Sequence, residues 1–222
     1  MKLCMFSPKD RDLARGWPGR IEGDRVVQLA AQTLQSFFTG GGDAREHAEY
    51  AFDDVVLRPP VLHPPSVRIF GRDGDFVFAN PAAIHGPDDV VHVPEGASGI
   101  VPVARLAAIV GTGEEIGGYT LVNDWDAPEL SGMKANDFAT SLGPIVVTPD
   151  ELQAHDVDFQ ALVHHAGKNT RLLPGDLIVA PGGSRKAMVR PGEIAEISLP
   201  PFGVLRNPVG EPGAGQRGAA TS

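Results

Sequence analysis

The feature that most constrains this chain is how often its apolar sequence is interrupted. Glycine (27) and proline (20) recur through the 222 residues, and the apolar runs between them are short and rich in Val and Ile. Proline cannot donate to an interior hydrogen-bond ladder and glycine favours turns, so strands joined by many turns are expected in place of a helical bundle. From Ser66 onward the pattern is one of repeated strands, VRIF, DFVFAN, VVHVP, IVPVARLAAIVG, GGYTLVNDW, GPIVVT, DFQALVHHAG, GDLIVA, AMVR, EIAEISLP and VLRNPV, most of these pieces being strands by composition. The fold class is therefore mainly β with short helices, an α+β chain.

Before Ser66 the pattern is more mixed. GRIEGDRVVQLAA, from Gly19 to Ala31, reads as a hairpin turning at Gly23-Asp24. A helix is expected from about Ala30 to Phe38, stopped by Gly40-Gly41-Gly42, and a second short one over Ala44 to Phe52. The Pro-Pro pairs of VVLRPPVLHPPS exclude a central strand there. The expected organisation is a small N-terminal region (1–58), a Pro-rich linker (59–65), a main domain (66–209) and a disordered tail (210–222), because the sequence after Pro208 has almost nothing to bury.

Charge and composition narrow the function. A net charge of −9 argues against nucleic acid and anionic lipid, which both demand concentrated Lys and Arg. A lone Cys4 excludes a disulfide framework and points to a reducing compartment, and no apolar run is long enough to span a bilayer. A cytoplasmic protein with a small-molecule partner is expected. No G-x-S-x-G, phosphate loop or H-E-x-x-H occurs. His85, His92, His155, His164 and His165 lack ligand spacing; read as strand neighbours, His164 and His165 would face opposite ways.

The chemistry concentrates in LVNDWDAPELSGMKANDFATSLGP, residues 121–144, where Asp124, Asp126, Lys134 and Asp137 follow an apolar strand. This stretch also carries a resemblance. GRIEGDRVVQLAA, FANPAAIHGPDDVVHVPEG, LAAIVG, GYTLVNDWDAPEL, KANDFATSLGPIVVTPDEL, LLPGDLIVAPGG and FGVLRNPV resemble, in order, successive motifs of the fumarylacetoacetate hydrolase family. The resemblance covers nearly the whole chain. It implies a mixed β-roll, a homodimer, and chemistry on small keto acids or 1,3-dicarbonyl compounds.

The resemblance also implies a divalent metal held by three carboxylates, and here the chain departs from it. Asp124 matches the third ligand, but the places of the Glu-x-Glu pair before LAAIVG are taken by Val103 and Arg105. An isopropyl group offers no oxygen to a hard cation and a guanidinium repels it. The lysine of F-x-K-P becomes Asn80, the T-G-T-P turn becomes Val179-Ala180-Pro181-Gly182, and the lid shrinks to GRDGD.

No cofactor is therefore expected, and no metal ligand. Asp124 would be one only if a metal is bound, with Mg²⁺ or Mn²⁺ admitted only if the site departs from this correspondence. Arg105 is expected to point into the former metal cavity and pair with Asp124, unless a register change turns it to solvent. The candidate catalytic residues are Lys134, Arg105, Asp124 and Asp137, with Asn80, Trp125 and Gly182 as substrate contacts. Lys134 equally fits a structural lysine paired to Asp137, and Trp125 a core filler. Asp126 and Glu129 read as solvated surface. The resemblance implies a lyase, isomerase or C–C hydrolase whose enolate is stabilised without metal, by decarboxylation, tautomerisation, dehydration, cyclisation or C–C cleavage. The alternative is an inactive binding or scaffold protein that keeps the fold.

Overall fold

A computed structural model describes residues 1–152 and 156–213. Its strands are β1 (Lys2–Pro8), β2 (Trp17–Glu22), β3 (Arg25–Leu29), β4 (Glu46–Ala51), β5 (Val55–Arg58), β6 (Val67–Phe70), β7 (Phe76–Ala79), β8 (Ile84–His85) and β9 (Val91–His92). There follow β10 (Val103–Val110), β11 (Ile116–Asp124), β12 (Thr140–Leu142), β13 (Val146–Val147), β14 (Leu177–Val179), β15 (Ser184–Arg185), β16 (Ile194–Ser198) and β17 (Val204–Gly210). The helices are α1 (Leu34–Thr39) and α2 (Phe159–Gly167). The mainly β expectation holds.

One large mixed sheet dominates, in the order β4-β3-β2-β1-β13-β11-β10-β14-β6-β7, and a smaller one runs β16-β17-β9. The large sheet passes straight through the division expected at 59–65. β1 supplies the continuity: one edge pairs with β2, and the other is shared between β13 and β5. Leu3, Met5 and Val146 bury into one core cluster with Val67, Ile109 and Val179, so the N-terminal region and the main domain share a single apolar interior. Cys4 is buried in β1, and burial pushes its thiol up, which leaves it unreactive.

Two local expectations are reversed. AREHAEYAF contains good helix formers, yet Glu46–Ala51 forms β4. The reason is tertiary: β3 offers an edge, and Tyr50 packs its ring on Phe6 at 5.3 Å and on Trp17 at 6.4 Å. Conversely DFQALVHHAG is helix α2 and not a strand. Asp158 caps it by accepting from the Ala161 N–H, and Phe159, Val163 and Ala166 recur on one buried face. The expected helix over Ala30–Phe38 begins later, at Leu34, where Thr33 and Ser36 form a capping box. AMVR contributes only an isolated bridge, Ile100 to Val189.

Gly210, expected to open the tail, still belongs to a strand. β17 runs past Pro208 to Gly210, with Val209 buried and paired to Val91. The remainder of the expected tail, residues 214–222, lies outside the described residues. Among the described residues no helix is long and apolar enough to cross a membrane.

Candidate active site

The site is built on the β10–β11 hairpin. GTGEEIG closes this hairpin tightly, Gly111 N–H donating to Glu115 O at 2.8 Å, so the two strands run antiparallel with Arg105 opposite Val122. Asp124 lies two residues beyond Val122, on the same face, which makes it the diagonal neighbour of Arg105. The ladder ends beside them because the Asn123 side chain accepts the Val103 N–H at 3.0 Å.

Arg105 Nε donates to Asp124 Oδ2 at 3.0 Å, and Nη1 donates to the Ala180 carbonyl at 3.2 Å. Arg105 therefore points inward. Gly183 makes room for it: at φ +109°, a β-carbon there would stand 3.0 Å from both Ala104 O and Arg105 Cγ. Asp124 is 7% exposed. Burial raises its carboxyl above the ordinary aspartate range; Arg105 opposes the rise, and nearby Asp126 adds to it.

Both side chains line a cavity of about 490 Å³. Ile69, Phe76 and Phe78 of the β6–β7 hairpin make its apolar wall, Asp73 and Asp75 come from the hairpin turn, and Met133, Asn136 and Asp137 face them. The GRDGD segment is this turn, closed by Gly71 N–H on Asp75 O at 2.8 Å. The aromatic wall, Met133 and Asn136 were not singled out from sequence. The alternation Phe76, Phe78 in FVFA was the available signal, since one face of a strand carries both rings.

The other expected site residues divide. Asp137 lines the cavity and accepts from Lys134 Nζ at 2.7 Å. Lys134 itself is 80% exposed at its side chain and lines an adjacent cleft with Asn80 and Asp137, outside the main cavity. Asn80 donates from Nδ2 to the Asp137 carbonyl at 3.0 Å, so it holds Asp137 in place. Trp125 is fully buried, its indole N–H donating to Ser141 Oγ at 2.9 Å; it is a core residue and not a cavity wall. Gly182 does not line the cavity, and the close approach on that loop belongs to Gly183.

Asp126 is not solvated surface as expected, because it pairs with Arg185. Glu129 accepts from Ser98 N–H and Oγ and fastens that loop. His164 and His165 lie on a helix, the first 3.4 Å from Glu114 and the second edge-on to Phe70. His155 is outside the described residues.

The donor set does not fit the metal that the resemblance implies. One carboxylate, Asp124, faces a guanidinium at 3.0 Å where a cation would have to sit. Among the described residues no group of three or more His, Cys, Asp or Glu is arranged to hold a metal ion.

The fold matches a class of known structures. The isomerase 5-carboxymethyl-2-hydroxymuconate delta-isomerase from Mycobacterium smegmatis superposes with a TM-score of 0.79 at 23% identity, covering 95% of this chain and 100% of that one. Maleylpyruvate hydrolase from Sphingobium sp. SYK-6, in complex with manganese(II) and pyruvate, gives 0.78 at 19% identity over 96% of this chain and all of that one. A 2-keto-3-deoxy-D-arabinonate dehydratase gives 0.76 at 15% identity over 95% of this chain and 99% of that one. By sequence the chain is 26% identical to protein Rv2993c of Mycobacterium tuberculosis, over 75% of this chain and 87% of that relative. No family model matches. The fold is that of the fumarylacetoacetate hydrolase family, as the order of motifs implies.

Proposed function

We propose that this protein is a divergent enzyme of the fumarylacetoacetate hydrolase fold that stabilises an enolate of a small 1,3-dicarbonyl or keto acid with a fixed guanidinium. The observation that carries the reading is the Arg105–Asp124 pair lining the cavity. A guanidinium held on one side by Asp124 and on another by the Ala180 carbonyl still has N–H donors for a developing oxyanion. Asp124, with its proton affinity raised by burial, is suited to take a proton from the carbon between two carbonyls and return it elsewhere on the substrate. Asp137, positioned by Lys134 and Asn80, is the second polar group facing the substrate.

The cavity's charge narrows the substrate. Asp73, Asp75, Asp124 and Asp137 face one lining cation among the described residues, Arg105. A substrate with one anionic or enolisable end suits this balance better than a dicarboxylate. Keto–enol tautomerisation or decarboxylation needs only proton transfer and oxyanion stabilisation, whereas the donor set offers nothing to hold a metal that would activate water for C–C hydrolysis.

The test is turnover of acylpyruvates, with oxaloacetate as the dicarboxylate comparison, by protein treated with EDTA, with and without added Mg²⁺ or Mn²⁺. Metal-independent tautomerisation or decarboxylation is expected. It should fall by about 100-fold or more in Arg105→Met, the size of effect typical of losing one oxyanion donor. Arg105→Glu restores one family carboxylate, and added metal should not recover its activity. Strong metal-dependent turnover by the unaltered protein would overturn the reading, and inertness toward every substrate with retained ligand binding would favour the scaffold alternative.

A further inference from the structure

We propose a second binding site, for a small anion, in the surface cleft between the β6–β7 hairpin and the C-terminal end of α2. The cleft, about 440 Å³, is lined by Arg68, Phe76, Phe78, His165, Lys168 and Thr170 among others. No acidic side chain of the described residues lines it, although the whole chain carries a net charge of −9.

Arg68 is the residue that demands a ligand. It sits on a central strand between Phe78 of β7 and Ile178 of β14 and is 5% exposed. Its guanidinium carbon lies 5.4 Å from the Phe78 ring centre and 5.8 Å from that of Phe76. Nε and Nη1 have no hydrogen-bond acceptor among the described residues. Asp176 is the carboxylate within ion-pair reach, with Oδ2 3.4 Å from Nη1. That carboxylate already accepts from Ser66 Oγ and from the Leu173 N–H, each at 2.7 Å. A buried guanidinium with idle donors is costly, and an anion entering the cleft beside it would offset that cost.

The rest of the cleft fits the same ligand. Lys168 caps α2 and His165 precedes it, so an ammonium and an imidazole stand at an end of the helix that is itself partially negative. The helix end alone accounts for these two residues. It does not account for Arg68, which belongs to another element. The Thr170 hydroxyl adds a donor at the rim, and the rings of Phe76 and Phe78, edge-to-face at 86°, form an angled apolar wall. A carboxylate or phosphate on a compact carrier is the chemistry that this combination recognises.

Phe76 and Phe78 also wall the candidate active site, so an anion in the cleft rests against the hairpin that shapes the cavity. The binding claim does not depend on the proposed catalysis and is tested apart from it.

The test is titration of the full-length protein with inorganic phosphate and, separately, with benzoate, followed by calorimetry and by amide NMR shifts. Saturable binding of at least one probe is expected, with shifts at His165, Lys168 and Thr170; the tighter probe tells phosphate from carboxylate. Lys168→Glu, a change at an exposed position, should weaken binding at least tenfold, while Arg105→Met should leave it intact. Arg68→Met strands Asp176 and can fail to fold, which is why Lys168→Glu carries the test. Absence of saturable binding for both probes overturns the proposal. So does binding lost in Arg105→Met but kept in Lys168→Glu, which would place the probe in the other cavity.

Discussion

At the scale of single residues, the arginine at position 105 decides what the site can do. Its meaning was open in sequence, because a one-residue change of register would have turned the side chain to solvent. The pairing of Arg105 with Val122 fixes the face, and the diagonal to Asp124 follows. Asp124→Asn should keep the fold and reduce proposed turnover by about 100-fold, the usual share of a positioned acid–base group, measured with an acylpyruvate as substrate. The same variant has a pH signature. The Asp124 carboxyl is raised in the folded state, so protonation is favoured there: its stabilising contribution is full below the ordinary aspartate pKa, about 4, and is lost as pH rises through the raised folded value. Urea unfolding across pH 3–7 should therefore show the advantage of the unaltered protein over Asp124→Asn shrinking as pH rises. Lys134 ranks lower than its sequence context suggested. Lys134→Met should leave kcat within about tenfold, acting only through Asp137, since its ammonium stands outside the cavity.

At the scale of elements, the strands were legible wherever short Val- and Ile-rich runs lay between glycines and prolines, and this covers the β10–β11 platform of the site. Two errors have different physical origins. Glu46–Ala51 looked helical by propensity, but an aromatic contact with Phe6 and Trp17 outweighs the few tenths of a kcal/mol per residue at stake. α2 was legible and misread: Phe159, Val163 and Ala166 have helical spacing, and Asp158 is an N-cap. Its short cousin α1 provides a stability test remote from the cavity. Thr33→Ala removes the side-chain half of the capping box and should cost about 1 kcal/mol in urea unfolding with unchanged activity. The wall formed by Phe76 and Phe78 could not be assigned to the site in advance, because what the hairpin faces depends on the whole sheet.

At the scale of the molecule, the resemblance in motif order predicted a β-roll, and the fold agrees. The division into an N-terminal region and a separate main domain did not anticipate β1. The run LCMF is apolar and short, and nothing local says that both its edges will be occupied. Because Leu3 and Met5 enter the main core, deleting residues 1–58 should abolish cooperative unfolding of the remainder and not leave a folded catalytic domain, as circular dichroism and urea titration would show.

The placement of β1 reaches beyond stability. Met1 meets Thr148, 147 positions along the chain, with the Thr148 N–H donating to the Met1 carbonyl at 2.9 Å. β2 and β5 follow β1 closely in sequence and can pair with it early, while β13, which covers only Lys2 and Leu3, comes after the active-site hairpin. The part of the β1 edge at Lys2 and Leu3 therefore stays uncovered until β13 is in place, and until then it is open to pairing with another chain.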